Sequence, residues 1–545
     1  MIQLENASAK KISNFYSLIL LITGFSSFIF ISPKWLFPIC AWTGPAALLL
    51  FYHFSDFKRK FLWVLSVLVI SQIIAFYEVV PIPGAGLIIF VLLNSIFKSL
   101  PFVLDKVITK KSNSFWATLI FPITYTAFEF ISSFGPWGAW SSIVNTQFEF
   151  SWLNQLASVT GIWGISFLVY WFASYTGWLV NLLMVKKPFG KTAFVFPSIL
   201  FIVLTTGAIR YYGNDQSSNS VKVAGITVNT IPFLEALYKD VNRKSIHIDP
   251  ASSPVSPDLQ QAQLSLIPFI EHPDSTKFKI TLQTLSNIYD SLFALSKKAA
   301  DQGAKIIEWS EGSVITWKGN ERSFITRSQN FAKENNVDLL IAMASIETGK
   351  ITSGKKFMEN KAVYIDHNGI IQNTLFKNKP VPGIEPSKPG DGVIPLIKTD
   401  YGNISTSICY DADFPSLMQQ LGKQKSGLLL LPSGDWKAIS PYHSNAAVYR
   451  AIENGNSIFR QVNGGLSIAA DYRGKIIASH DYFTPEEKLL IADIPITHVN
   501  TIYNIIGDAF GYACLYAFLT TVIALFVKWI ISKFRRKKTI MSPAV

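Results

Sequence analysis

The chain has 545 residues and carries 49 Lys+Arg against 36 Asp+Glu, a formal net charge of +13, yet only 16% of its residues are charged and 14% are aromatic. Its mean hydropathy is +0.29, and an ordinary soluble domain is ~25% charged, so the chain is too apolar to be soluble throughout. The same figures, with only three cysteines, exclude a disordered chain, a collagen-like repeat and a disulfide-stapled scaffold.

Seven apolar stretches crowd the N-terminal part: 15–31, 35–54, 61–80, 84–104, 115–133, 161–185 and 193–209, and an eighth covers 509–531. Each approaches the ~20 residues that cross a hydrocarbon core. Basic residues mark alternate short loops: Lys10 and Lys11 before the first stretch, Lys58–Lys60 between the second and third, Lys106, Lys110 and Lys111 between the fourth and fifth, Lys186, Lys187 and Lys191 between the sixth and seventh, and Lys533 with Arg535–Lys538 after the eighth. The other short loops are almost free of them, Lys34 being the main exception. The positive-inside rule then predicts a multi-pass helical membrane domain of seven spans over 1–210, an extracytoplasmic domain over 211–508, and an eighth span with a basic cytoplasmic tail over 509–545. Both termini are expected in the cytoplasm, and the first stretch, lacking a small-residue cleavage site, reads as a retained span. The basic clusters are thus topogenic and lipid-facing rather than a nucleic-acid surface.

Within 211–508 helical and extended patterns alternate. Residues 286–302 place Ile288, Leu292, Leu295 and Ala299 on one helical face and stop at Gly303, a natural C-terminal cap. Strands are expected over 305–309 and 338–344, a hairpin over 361–366 and 370–376 across the turn His367-Asn368-Gly369, and further strands over 403–409, 427–431, 457–462, 466–471 and 474–479. Ser440-Pro441 starts a helix that ends near Gly455. The pattern dissolves into Pro, Ser, Asp and His between Asp240 and Lys279, which reads as a mobile insertion. Many strands with few, long helices predict a layered α/β sandwich.

Cys40 and Cys514 fall in apolar spans, leaving Cys409 alone in the polar domain with no disulfide partner. Such a thiol is either inert and shielded or used. Cys409 ends an apolar strand and turns into Tyr410-Asp411 and Phe414-Pro415, which presents it at a sheet edge. With a reference pKa of about 8.5 the thiol needs a base or a positive neighbour to become a nucleophile. No histidine is near in sequence, and the domain's six show no catalytic or metal-binding spacing, so no metal or cofactor is expected. A carboxylate at another strand end is the expected base. Glu311, just past 305–309, stands in such a place, and Lys377, at the end of the hairpin, is the candidate cation.

At these residues the chain resembles the nitrilase (carbon–nitrogen hydrolase) superfamily, and within it the apolipoprotein N-acyltransferase family. Ile307-Glu308-Trp309-Ser310-Glu311 stands at the family's glutamate motif, Phe376-Lys377 with Val381-Pro382 and Glu385 at its lysine motif, and Ile408-Cys409-Tyr410-Asp411 at its cysteine motif. Ser433-Gly434-Asp435-Trp436 and Tyr449–Gly455 continue the likeness, which covers about 221–494, and Glu129 with Gly135-Pro136-Trp137 and Thr160-Gly161 resembles the membrane half. Two positions depart: Ser310 replaces the usual proline before the glutamate, and Asp411 the usual glutamate two residues after the cysteine.

The resemblance implies an αββα sandwich in a bacterial cytoplasmic (inner) membrane protein with a Glu311–Lys377–Cys409 triad. It implies a phospholipid acyl donor, a cysteine thioester, and the N-terminal amine of a diacylglyceryl-cysteine lipoprotein as acceptor. Glu385 is expected to orient Lys377 or to take the amine proton, a backbone N–H near Tyr410 to meet the oxyanion, and Asp411 to be a supporting residue. Trp436 and Glu129 are expected substrate contacts, with core packing and interfacial hydration as their plainer alternatives; Glu308, alternating with the strand, reads as structural. Two rival functions share the pattern: a membrane-tethered amidase, in which water resolves the thioester, and a non-catalytic membrane scaffold.

Overall fold

The computed structural model describes residues 11–540 apart from 83, 110–113, 214–218, 274–275, 349, 351–355 and 487, with backbone alone over 534–540. Lys10, Lys110 and Lys111 lie outside the described residues, as do the side chains of Arg535–Lys538. The helices Asn14–Phe30, Pro38–Phe54, Lys60–Phe76, Ala85–Thr109, Ile120–Ser132, Ile162–Met184, Val195–Tyr212 and Ala509–Ile540 pack against one another. Five segments, Ala85–Thr109, Phe115–Ser132, Ile162–Met184, Lys191–Tyr212 and Ala509–Lys533, are long and apolar enough to cross a membrane by length and composition. Large side chains such as Phe15, Phe97, Phe201 and Ile523 point outward, as lipid permits and water does not. Small residues set the close approaches. Gly24 faces Leu48, and a Cβ on Gly207 would fall 1.9 Å from the carbonyl oxygen of Trp152.

The rest of the chain forms two stacked sheets. β1 (Ser220–Ile226), β2 (Ile306–Trp309), β3 (Val314–Trp317), β4 (Asp338–Ile346), β5 (Met358–Ile365), β6 (Ile371–Phe376) and β15 (Leu489–Pro495) make the first, in the order β15-β1-β2-β4-β5-β6 with β3 beside β4. β7 (Leu396–Thr399), β8 (Gly402–Thr406), β9 (Leu428–Leu430), β11 (Ser457–Arg460), β13 (Leu466–Ala470) and β14 (Ile476–Asp481) make the second, in the order β14-β13-β11-β9-β8-β7. β10 (Ser433–Gly434) and β12 (Val462–Asn463) pair separately. Val223, Ile306, Leu340, Ile404, Leu428 and Phe459 fill the space between the sheets. Helices Lys279–Asp301 and Lys318–Asn335 cover the outer face of the first sheet, and Pro415–Lys423 and Tyr442–Asn454 that of the second. The result is an αββα sandwich.

Two expectations need correction. The 240–279 stretch is not a structureless insertion: it holds the short helices Pro257–Leu264 and Leu266–Glu271, and Phe269, Ile270 and Phe278 enter the core. The following helix starts at Lys279 rather than 286, where the Asp240 carboxylate accepts the Thr281 N–H (2.9 Å) and hydroxyl (2.8 Å). Cys409 is also not part of a strand. β8 stops at Thr406, and Cys409 opens the 3-10 turn Cys409–Asp413.

The sandwich sits on one set of helix ends. Trp436 Nε1 donates to the Glu78 carbonyl (2.9 Å), Tyr410 OH to Pro136 O (3.1 Å), Ala139 N to Asp413 O (2.7 Å) and Trp163 Nε1 to Asp508 Oδ1 (2.7 Å). Glu453 Oε1 accepts the Ile162 N–H at 2.9 Å, placing a carboxylate on the positive N-terminus of Ile162–Met184. The ends near Glu78 and at Ile162 lie opposite the ends of the same helices that bear Lys58–Lys60 and Lys186–Lys187.

Candidate active site

The ends of β2, β6 and β8 converge, so the site bridges both sheets. Lys377 follows β6, its N–H bound to the Asn360 carbonyl of β5 (2.8 Å), and its side chain is fully buried. Its ammonium donates to Glu311 Oε1 at 2.8 Å and to Glu385 Oε1. Asn360 Nδ2 donates to Glu311 Oε1 (2.7 Å) and Glu385 Oε2 (3.4 Å), fixing both carboxylates from the other side. Cys409 is 3% exposed and adopts φ +46°, a left-handed conformation that costs a non-glycine residue roughly 1–3 kcal/mol. Held there, its Sγ donates to the Gly434 carbonyl at 3.5 Å. A Cβ on Gly434 would stand 3.5 Å from Glu311 Oε2, so thiol and carboxylate meet across this glycine. The Tyr410 N–H has no acceptor among the described residues and is free to meet an oxyanion.

The electrostatics fit a thiol that ionises only as it attacks. Burial pushes the Cys409 thiol well above its ordinary value; the Glu311 charge adds to this and Lys377 opposes it. Burial alone would lower Lys377, but Glu311, the Cys409 sulfur and Glu385 more than offset it and hold the ammonium charged. Burial raises Glu385, with Lys377 opposing. At rest the sulfur is a thiol beside a fixed cation and two carboxylates, an arrangement for proton transfer to Glu311 in step with nucleophilic attack.

Of the other expected residues, Asp411 and Tyr410 adjoin this centre, while Glu129 lies within the helical half. The Asp411 carboxylate accepts the N–H groups of Lys379 (2.7 Å), Ile408 (3.2 Å) and Asn378 (3.3 Å) and the Ser407 hydroxyl (3.0 Å). It ties the nucleophile's turn to the segment after Lys377, and burial pushes its pKa up to about 6. Tyr410 and Trp436 spend their polar atoms on Pro136 and Glu78 in the helical half. Glu129 lies within the helices, its carboxylate accepting from Ser166 (2.6 Å), Tyr170 (2.7 Å) and Ser142 (2.8 Å) hydroxyls and the Ile143 N–H (3.2 Å). Glu308 is fully buried in β2 and accepts the Gln461 N–H at 3.0 Å, a structural bond between the sheets.

A histidine does reach the sulfur. Sγ of Cys409, a carboxylate oxygen of Asp435 and a ring nitrogen of His443 lie within 4.8 Å of one another. His443 is clamped at 2.7 Å by Asp413 on Nε2 and by Asp435 on Nδ1, and Arg460 binds both Asp435 oxygens at 3.0 Å. Burial opposes protonation, but Asp413 and Asp435 prevail and push His443 up to about 9. With both ring nitrogens held by carboxylates, His443 is placed to keep its protons rather than to accept one from the sulfur. No sequence spacing points to His443, because its partners come from three separate elements.

Comparison with known proteins adds two findings. The family model described as carbon-nitrogen hydrolase matches residues 275–503, and that described as apolipoprotein N-acyltransferase N-terminal domain matches 23–175. Apolipoprotein N-acyltransferase of Geobacter metallireducens is 23% identical over 420 residues, covering 72% of this chain and 71% of the relative. That of Borreliella burgdorferi is 24% identical over 426 residues (74% and 75%), and apolipoprotein N-acyltransferase 1 of Treponema denticola 21% over 538 residues (91% and 94%).

Proposed function

Because the chain belongs to the apolipoprotein N-acyltransferase family, we propose that it moves an acyl chain from a membrane phospholipid to the N-terminal amine of a diacylglyceryl-cysteine lipoprotein. The observation that carries the mechanism is a buried Lys377 shared by Glu311 and Glu385 beside a strained Cys409. Glu311 takes the Cys409 proton as sulfur attacks the ester carbonyl. Lys377 and the Tyr410 N–H receive the oxyanion, one such donor being worth ~3–4 kcal/mol. Glu311 returns the proton to the departing lysophospholipid alcohol, leaving a thioester on Cys409. The acceptor amine attacks the thioester and loses its proton to Glu311 or Glu385, and the expelled thiolate is reprotonated. The products are an amide and the resting thiol.

The membrane reading goes with this. We place spans in 1–210 and 509–531, the catalytic domain over 211–508 outside the cytoplasm and both termini inside it. The basic loops support this, since the sandwich rests on the helix ends away from them. Drawing one acyl chain into water would cost around 10 kcal/mol at ~0.8 per CH₂, which a site at the bilayer surface avoids. Excluding water also favours amine over hydrolysis at the thioester.

The test uses the full chain in phospholipid vesicles with a diacylated lipopeptide. Intact-protein mass spectrometry is expected to show one acyl group on Cys409, absent in Cys409→Ser, and lipopeptide is expected to discharge it with amide formation. Free fatty acid without amide would favour the tethered amidase, and no acylation of Cys409 would favour the scaffold.

A further inference from the structure

The helical half holds an ammonium group, Lys98, that no carboxylate touches directly among the described residues, the Glu129 charge acting on it only across a shared cavity. Lys98, midway along Ala85–Thr109, is half-buried, and among the described residues no carboxylate lies within 4.0 Å of its Nζ and no hydrogen-bond acceptor is assigned to it. It lines a cavity beneath the catalytic domain, together with Ser32, Gln72, Ser141 and the Trp140–Tyr442 pair, whose rings meet edge to face. Two other polar groups in this wall are unspent. Gln72 and Ser32 are each 3% exposed, and Gln72 Nε2 and Ser32 Oγ have no partner. Glu129 faces an adjoining cavity that Lys98 also lines, but its two oxygens already accept four hydrogen bonds.

A cation among apolar spans is costly unless an anion contacts it, which Glu129, its oxygens spent on other donors, does not, and buried donors without acceptors add to the cost. Three donors converging on one cavity fit an oxygen-rich monoanion. The Lys98 Cβ is tilted toward the N-terminus of its helix, the end nearer the catalytic domain, so its long stem lifts the ammonium toward the active site. We propose that this cavity is a phosphate subsite: Lys98, Gln72 and Ser32 hold the phosphodiester of a phospholipid headgroup, fixing where its ester stands relative to Cys409. This rests on the phospholipid-donor reading above.

The experiment measures acylation of Cys409 in the full chain, in mixed micelles, with a phospholipid and with a phosphate-free acyl ester. Lys98→Met is expected to lower kcat/KM for the phospholipid relative to the neutral ester by about tenfold or more, chiefly through KM. Lys98→Arg is expected to recover most of it, and Gln72→Leu to shift the ratio the same way by less. An equal loss with both donors, or none, would overturn the subsite. If wild-type Cys409 accepts acyl groups from neither donor, the functional reading itself fails. Competition by millimolar inorganic phosphate in the wild type would assign the site to free anion and overturn its assignment to the lipid; its absence supports the lipid.

Discussion

Two buried lysines leave neighbouring strands one register position apart, and each meets a pair of glutamates. Lys361 of β5 lies opposite Phe376, while Lys377 lies opposite Asn360. Lys361, 3% exposed on its side chain, binds Glu321 at 2.7 Å and Glu359 at 3.1 Å, and Lys318 reaches both glutamates from outside. With Lys388 4.0 Å from Glu359 as well, cations outnumber anions there. Burial alone would raise Glu321 and Glu359, yet Lys361 and Lys318 more than offset it and hold both low. Around Lys377 a single cation serves two carboxylates, Glu385 is raised, and a thiol on strained backbone stands alongside. A buried Lys–Glu cluster is therefore no mark of chemistry by itself. The closed cluster is saturated, whereas the open one keeps proton-accepting capacity beside a nucleophile.

This contrast can be tested by unequal consequences. Lys377→Met is expected to cut the single-turnover acylation of Cys409 by about 10³-fold, read by intact mass, because the oxyanion loses its cation. Lys361→Met is expected to cost about 3–5 kcal/mol of stability, the penalty for breaking a buried pair, while acylation per folded molecule changes by less than about twofold; a larger catalytic loss would erase the distinction. Next comes pH. His443 is raised from 6.5 to about 9, so its contribution is fully present below about pH 6.5 and is lost as pH rises through about 9. The window corresponds to about 3 kcal/mol. Denaturation midpoints measured from pH 6 to 10 should fall in the wild type and stay flatter in His443→Gln. The smallest effect is expected for Tyr410→Phe, which removes only the bond to Pro136 and should cost about 1 kcal/mol with the triad geometry kept.

Much of this was legible in the chain. Glu311 and Cys409 follow apolar strands and Lys377 follows the second strand of a hairpin, and strand ends in a layered sandwich converge. The basic loops marked one side of the helices because loop charge is a local property. His443 was not legible, since Asp413, Asp435 and Arg460 come together only when a turn, a loop and β11 fold onto one another. The 240–279 stretch misled because its Pro and Ser content hides three aromatic or aliphatic anchors, Phe269, Ile270 and Phe278, that decide its packing. Trp436 also reads differently in three dimensions. Its indole N–H is bound to Glu78, which makes it a fastening between the two halves.

The carboxylate that Glu453 lends to Ile162–Met184 also bears on how separable the two halves are. Burial, partly countered by Arg450, raises Glu453 to about 7, and its Oε1 is engaged by the first amide of that helix. Severing the chain near Tyr212 and Asp508 would not liberate a ready-made water-soluble enzyme. It would strip one helix of its capping acceptor and bare the seat where Trp163 and Tyr503 dock on Asp508, so catalyst and anchor stand or fall as a single unit.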